Sequence, residues 1–69
     1  MKKMYYVVEQ QLESDGEFDY ATDTKDVTLY VWDSNVNDLV YVGGSELAVE
    51  TNVLEYLQKH FPDNEFKKL

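Results

Sequence analysis

The sequence predicts an α+β fold: a small antiparallel β-meander of about four strands with one C-terminal helix packed on one face. Three observations predict it. Residues 4–42 carry β-branched and aromatic runs with stretches of period-two alternation. Polar clusters at 14–16, 23–26 and 34–38 break those runs where turns belong. Apolar residues at helical spacing come only afterwards, up to Pro62. Strands followed by a helix argue for α+β rather than a parallel α/β sheet. No linker, internal repeat or low-complexity segment interrupts the chain, so residues 1–69 read as a single domain.

The first strand is expected over about Met4 to Glu13. Its even positions (Met4, Tyr6, Val8, Gln10, Leu12) should face the core, and its odd positions (Tyr5, Val7, Glu9, Gln11, Glu13) the solvent. Ser14-Asp15-Gly16 reads as a three-residue hairpin loop, with Gly16 in the left-handed region that such a loop requires. This register sets Leu12 opposite Phe18 and Glu13 opposite Glu17. A second strand then runs over Glu17 to Thr22 with Phe18 and Tyr20 inward. Asp23 to Asp26 reads as a turn. Val27 to Asp33 is the strongest strand, with Val27, Leu29 and Val31 on one face and Thr28, Tyr30 and Trp32 on the other. After a turn at Ser34 to Asp38, a short fourth strand, Leu39 to Val42, is expected to stop at Gly43-Gly44.

The helix has two candidate starts. Ser45 would cap a helix from Glu46 to about His60, or Asn52 would cap a shorter one with Glu55 three residues on, as in a capping box. The longer helix would put Glu50 within an apolar face, which favours a ragged or later start. Pro62 ends the helix in either case, and Lys67-Lys68-Leu69 is expected to fray.

A 69-residue chain sits near the lower limit for a self-sufficient core. The sequence has no Cys, which excludes disulfides and fits a reducing compartment. His60 is its only nitrogen or sulfur ligand of the usual zinc-binding kind, so neither a metal nor another cofactor is expected. The apolar run after Lys2-Lys3 ends at Glu9, too short for a signal peptide, and no run approaches the roughly 20 residues of a membrane span. The expected location is the cytoplasm, a host's if the chain is phage-encoded.

Fourteen acids against six lysines give a formal charge of −8. Residues 4–58 hold twelve of the acids and only one base, Lys25. Such a field repels nucleic acid and anionic lipid and attracts basic protein surfaces.

No catalytic set is legible. His60 reads as a helix-terminal residue favoured by the negative end of the dipole. Asp33-Ser34-Asn35-Val36-Asn37-Asp38 begins like a calcium loop. It then puts Asp38 where the loop needs Gly and Gly44 where it needs a bidentate Glu, so a strand-to-strand turn is the better reading. Gly43-Gly44-Ser45 has neither phosphate-loop spacing nor a following Lys. The chain is expected not to be an enzyme.

Two features are candidates for partner binding. The first is an acidic ridge on the opening hairpin. It comprises Glu9, Glu13, Glu17 and Asp19 on the expected solvent phase, Asp15 at the tip, and Asp23 and Asp26 beyond. Side chains two apart on a strand lie roughly 7 Å from each other, a row able to imitate a nucleic-acid backbone. The competing reading is an acidic face that keeps the protein soluble and guards an edge strand. The second is an aromatic face of Tyr5, Tyr30 and Trp32 on the side of the sheet that one helix leaves bare. It suits a homodimer or a docked partner; the competing reading is lateral packing of residues with high β-propensity.

In being tiny, Cys-free, acidic and tyrosine-rich, the chain resembles phage-borne inhibitors such as anti-CRISPR, anti-restriction and DNA-mimic proteins. The resemblance is one of composition and size, and no functional residue carries over from it. It implies an inhibitor or adaptor that engages a basic surface of a nucleic-acid enzyme or complex, without touching nucleic acid or membrane itself. The alternative is a small self-associating structural protein that uses the aromatic face.

Overall fold

The computed structural model describes residues 2–69, with elements β1 (Lys2–Ser14), β2 (Asp19–Asp33), β3 (Asp38–Ala48), α1 (Val53–His60) and β4 (Asn64–Lys68). The class is α+β, with four strands and one helix, as the sequence predicts. The sheet order is β3-β2-β1-β4. The first three strands form an antiparallel meander, and β4 joins β1 in parallel, so the sheet is mixed. The chain therefore leaves one edge of the sheet, crosses two central strands through α1, and enters at the other edge.

The last strand replaces the frayed end expected from sequence. Lys67 pairs with Tyr5 and Lys68 with Tyr6, and the Leu69 N–H donates to the Tyr6 carbonyl at 3.0 Å. Five residues are too few to show a strand period. What orders them is the open edge of β1, which supplies backbone partners, and Phe66, which packs on the core and lies 6.3 Å from the Phe61 ring.

The expected second and third strands are one continuous strand, β2, and Asp23 to Asp26 is not a turn. Gln10 pairs with Lys25 and Leu12 with Ala21, so Thr22, Asp23 and Thr24 stand opposite Gln11 alone. Polar side chains stitch this bulge. The Gln10 amide donates to the Thr22 carbonyl at 3.1 Å and the Thr24 carbonyl at 2.9 Å, and the Thr24 hydroxyl donates to Gln11 Oε1. The polar cluster that looked like a chain reversal is a strand irregularity satisfied by side chains.

The hairpin register also differs from the expected one. Ser14 pairs with Asp19, Glu13 with Tyr20 and Leu12 with Ala21, leaving a four-residue loop, 15–18. Gly16 has φ +100°, the left-handed conformation expected of it. The Asp15 carboxylate sets the loop by accepting from the Glu17 and Phe18 N–H groups, both at 3.0 Å. These local bonds override the matching of polarity across the hairpin. Phe18 and Tyr20 are consequently exposed rather than inward, and so is Leu12. Glu13 faces Tyr20, whose hydroxyl donates to it at 3.2 Å, instead of facing Glu17.

Strand β3 continues through Gly43-Gly44 to Ala48, bulging at Val42, because β2 is long enough to pair with it as far as Thr24. Residues 46–48 are thus strand, and the helix is the shorter of the two candidates. Asn52 caps it, its Oδ1 accepting from the Glu55 N–H at 3.1 Å. Lys25 secures the connection before it: its ammonium donates to the Val49 carbonyl at 2.7 Å and the Thr51 carbonyl at 2.6 Å.

The core is small. Met4, Tyr6, Val27, Leu29, Leu47 and Leu57 are buried, with Val8, Val31, Val53, Tyr56 and Phe66 packed around them. Val27 and Leu57, each 1% exposed, are its centre. The face phases expected for β1 and for Val27, Leu29 and Val31 hold here. They stop producing burial beyond Gln10, where no helix lies over the sheet. The radius of gyration is 14.3 Å, against about 11 Å for a compact chain of this length, because the hairpin projects beyond the core.

This geometry ranks two substitutions. Leu57→Ala removes the centre of the core and should cost about 2–5 kcal/mol. Asn52→Ala removes one cap bond and should cost about 1 kcal/mol. Urea unfolding followed by circular dichroism measures both, and an inverted ranking would mean that the helix is not seated on the sheet as described.

Candidate functional site

The charge of the protein is concentrated at one end. Residues 9–26 and 46–50 together form the hairpin end of the sheet, since Thr24, Lys25 and Asp26 pair with Ala48, Leu47 and Glu46. This end holds nine acids (Glu9, Glu13, Asp15, Glu17, Asp19, Asp23, Asp26, Glu46, Glu50) and one base, Lys25, a formal −8. The rest of the chain holds five acids and five lysines and is formally neutral. The Lys25 ammonium donates to the Val49 and Thr51 carbonyls.

The seven acids singled out from sequence do not form one straight ridge. Glu9 and Asp26 are direct cross-strand partners on the face away from the helix, and Glu46 faces Asp26 from β3. Three carboxylates thus stand in one row across three strands, with neighbouring Cβ atoms roughly 5 Å apart. The Gln11 amide offsets part of the resulting repulsion by donating to Asp26 Oδ1 at 2.8 Å and to Glu46 Oε2 at 2.7 Å. Glu13 shares this face, further along β1. Asp19 pairs with Ser14 and therefore lies on the opposite, helix-side face, contrary to the phase expected for it. Asp15 and Glu17 occupy the loop at the tip, and Asp23 sits in the bulge. The acids surround the hairpin end rather than lining one side of it.

Glu46 and Glu50 belong to this end but were not legible as such. Their membership depends on β3 running past Gly43-Gly44, which composition at that point argued against. The terminal lysines on β4 do not stand opposite these acids. Lys67 is set beside Tyr5 and Lys68 beside Tyr6, and Tyr5 lies four residues along β1 from Glu9, roughly 13 Å at the rise of a strand.

The aromatic face takes up the other end of the same uncovered side. Tyr5, Tyr30 and Tyr41 form a row across β1, β2 and β3. The Tyr30 and Tyr41 rings meet edge-on with centroids 6.3 Å apart. Tyr5 and Tyr30 are half-buried, whereas Trp32 remains 53% exposed. Tyr41 was missed because only pairing places it beside Tyr30.

The remaining motifs have local roles. His60 lies in the last turn of α1 with its ring against Tyr56, centroids 4.3 Å apart. In the loop after β2, Asp33 Oδ1 accepts from the Asn35 N–H at 2.8 Å, and Asn37 takes a left-handed φ of 55°, which are turn functions for both residue types. Among the described residues no group of three or more His, Cys, Asp or Glu side chains is disposed to hold a metal ion. Among the described residues no helix is long and apolar enough to cross a membrane.

Asp15 links the charge of the tip to its shape. The N–H of Phe18, then that of Glu17, donate to its carboxylate and hold its pKa below the ordinary 3.8. A carboxyl whose pKa is lower folded than unfolded stabilises the loop above the unfolded value, and that contribution disappears as pH falls through the folded one. An NMR titration should therefore give Asp15 a midpoint below 3.8, with the Glu17 and Phe18 amide shifts moving at the same midpoint. A midpoint at or above the ordinary value would mean that the loop bonds are not made in solution.

Comparison with protein-family models, curated proteins and solved structures finds no match to this chain.

Proposed function

We propose that this is a non-enzymatic acidic binding protein, an inhibitor or adaptor whose hairpin end engages a basic surface of a nucleic-acid-binding protein. The reading is that of a DNA mimic of the phage anti-defence type, such as an anti-CRISPR or anti-restriction protein, acting in the cytoplasm. One observation carries it: the whole formal charge of −8 falls on the projecting end, with the remainder of the chain neutral. An even solubilising coat would spread its carboxylates and intersperse lysines. Here Glu9, Asp26 and Glu46 are adjacent across strands despite the cost of like-charge pairs. A segregated negative field speeds encounter with a positive surface and repels nucleic acid and anionic membrane.

Affinity capture from lysate at about 50 mM and about 500 mM salt tests this. The expected partners are basic nucleic-acid-binding proteins, retained at low salt and shed at high salt. A variant carrying Glu9→Gln, Glu13→Gln, Asp19→Asn and Asp26→Asn should lose them while keeping its fold. Recovery of only neutral or acidic proteins, indifferent to salt and to the variant, would refute the reading.

The exposure of Trp32 and Tyr41 on the bare face favours a second reading, a self-associating structural protein. Sedimentation at micromolar concentration separates the two. The charge-based reading expects a monomer with Trp32 fluorescence typical of water, and a dimer with blue-shifted Trp32 emission would favour self-association instead.

A further inference from the structure

The hairpin carries large apolar side chains that stay largely exposed. Leu12 is 62% exposed and Phe18, at the tip, 70%. Leu12 pairs with the small, exposed Ala21. At the base of the hairpin, the helix-side face that bears Leu12 and Ala21 runs into an open hollow of about 650 Å³ between β2 and the β3–α1 connection. Ala21, Leu47 and Val49 supply its apolar lining, and Asp23 and Glu50 are its acids. Asp19 projects from the same face as Leu12, two pairing steps from it. Large apolar side chains held out on a projecting ribbon are costly to leave in water unless something covers them.

We infer that this face seats a basic amphipathic segment of a partner protein. Its apolar side chains would lie on Leu12, Phe18 and Val49, and its Lys or Arg side chains would extend along Ala21 toward Asp19, Asp23 and Glu50. Charge decides the occupant. A second copy would bring another end of −8, or a lysine-bearing end that is formally neutral, and neither complements this surface. An apolar segment without cations would leave the carboxylates beside it uncompensated. Lysine and arginine fit the hollow best, because their alkyl stems cover apolar surface while their heads reach the carboxylates at its rim. The inference rests on the proposed function for its electrostatic half and adds an apolar anchor to it.

The test uses the full chain and two synthetic peptides of about 15 residues. One has leucine and lysine at helical amphipathic spacing; the other has the same lysines with serine in place of leucine. Calorimetry at low salt should show the leucine–lysine peptide binding about tenfold more tightly than the serine–lysine peptide. Leu12→Ser with Phe18→Ser should abolish that advantage. Both positions are exposed, so the variant should keep its circular dichroism spectrum and unfolding midpoint. Equal affinity for the two peptides, or no effect of the double variant, would overturn the apolar anchor and leave the acidic reading standing. Failure of both peptides to bind would overturn both. A dimer that the double variant dissolves would overturn the inference in favour of a second copy as occupant.

Discussion

Eight helical residues rise about 12 Å, while β1 with its 13 residues extends over about 40 Å. Most of the architecture follows from this mismatch. The chain has one short helix with which to cover a sheet more than three times as long. The helix-side face is dry only where Leu57 meets Met4, Tyr6, Val27, Leu29 and Leu47. Past that contact both faces of the β1–β2 ribbon are wet, and the pattern of residues changes accordingly. Carboxylates, amides and threonines replace the aliphatic run, and the strands are held by backbone pairing and side-chain stitching rather than by burial.

The two ends of the molecule therefore do different physical work. The neutral end contains the core, the helix and β4, and it provides the stability. The hairpin end contributes little burial and carries the charge. The polar bulge at Thr22, Asp23 and Thr24, bridged by Gln10 and Gln11, lies at the boundary between them. Lys25 belongs to the first end by function although it sits in the second by sequence, since its ammonium anchors the chain between β3 and α1.

Electrostatics and hydrophobicity meet at the same place. A field of −8 on a neutral scaffold orients the molecule toward positive surfaces at a distance, but salt screens such attraction beyond roughly 10 Å. Close contact needs a term that salt does not remove. Leu12, Phe18 and the hollow beside Val49 lie among the carboxylates and offer apolar surface of that kind. On the other end of the bare face, Tyr5 and Tyr30 are half-buried while Tyr41 and Trp32 remain exposed.

The sequence by itself determined the fold class, the strand faces around the core, the left-handed Gly16, Asn52 as one of two candidate caps, and the excess of acid at the hairpin. Each is a local property: alternation, a turn preference, a capping spacing, a count of charges. Tertiary structure decided what depends on a distant partner. Lys67 and Lys68 are ordered because β1 had an open edge to offer, and β3 runs through two glycines because β2 continues beside it. Thr22 to Thr24 bulge instead of turning because glutamine amides satisfy them. Leu12 faces water because the helix that would cover it is too short to arrive, which no period in the chain records.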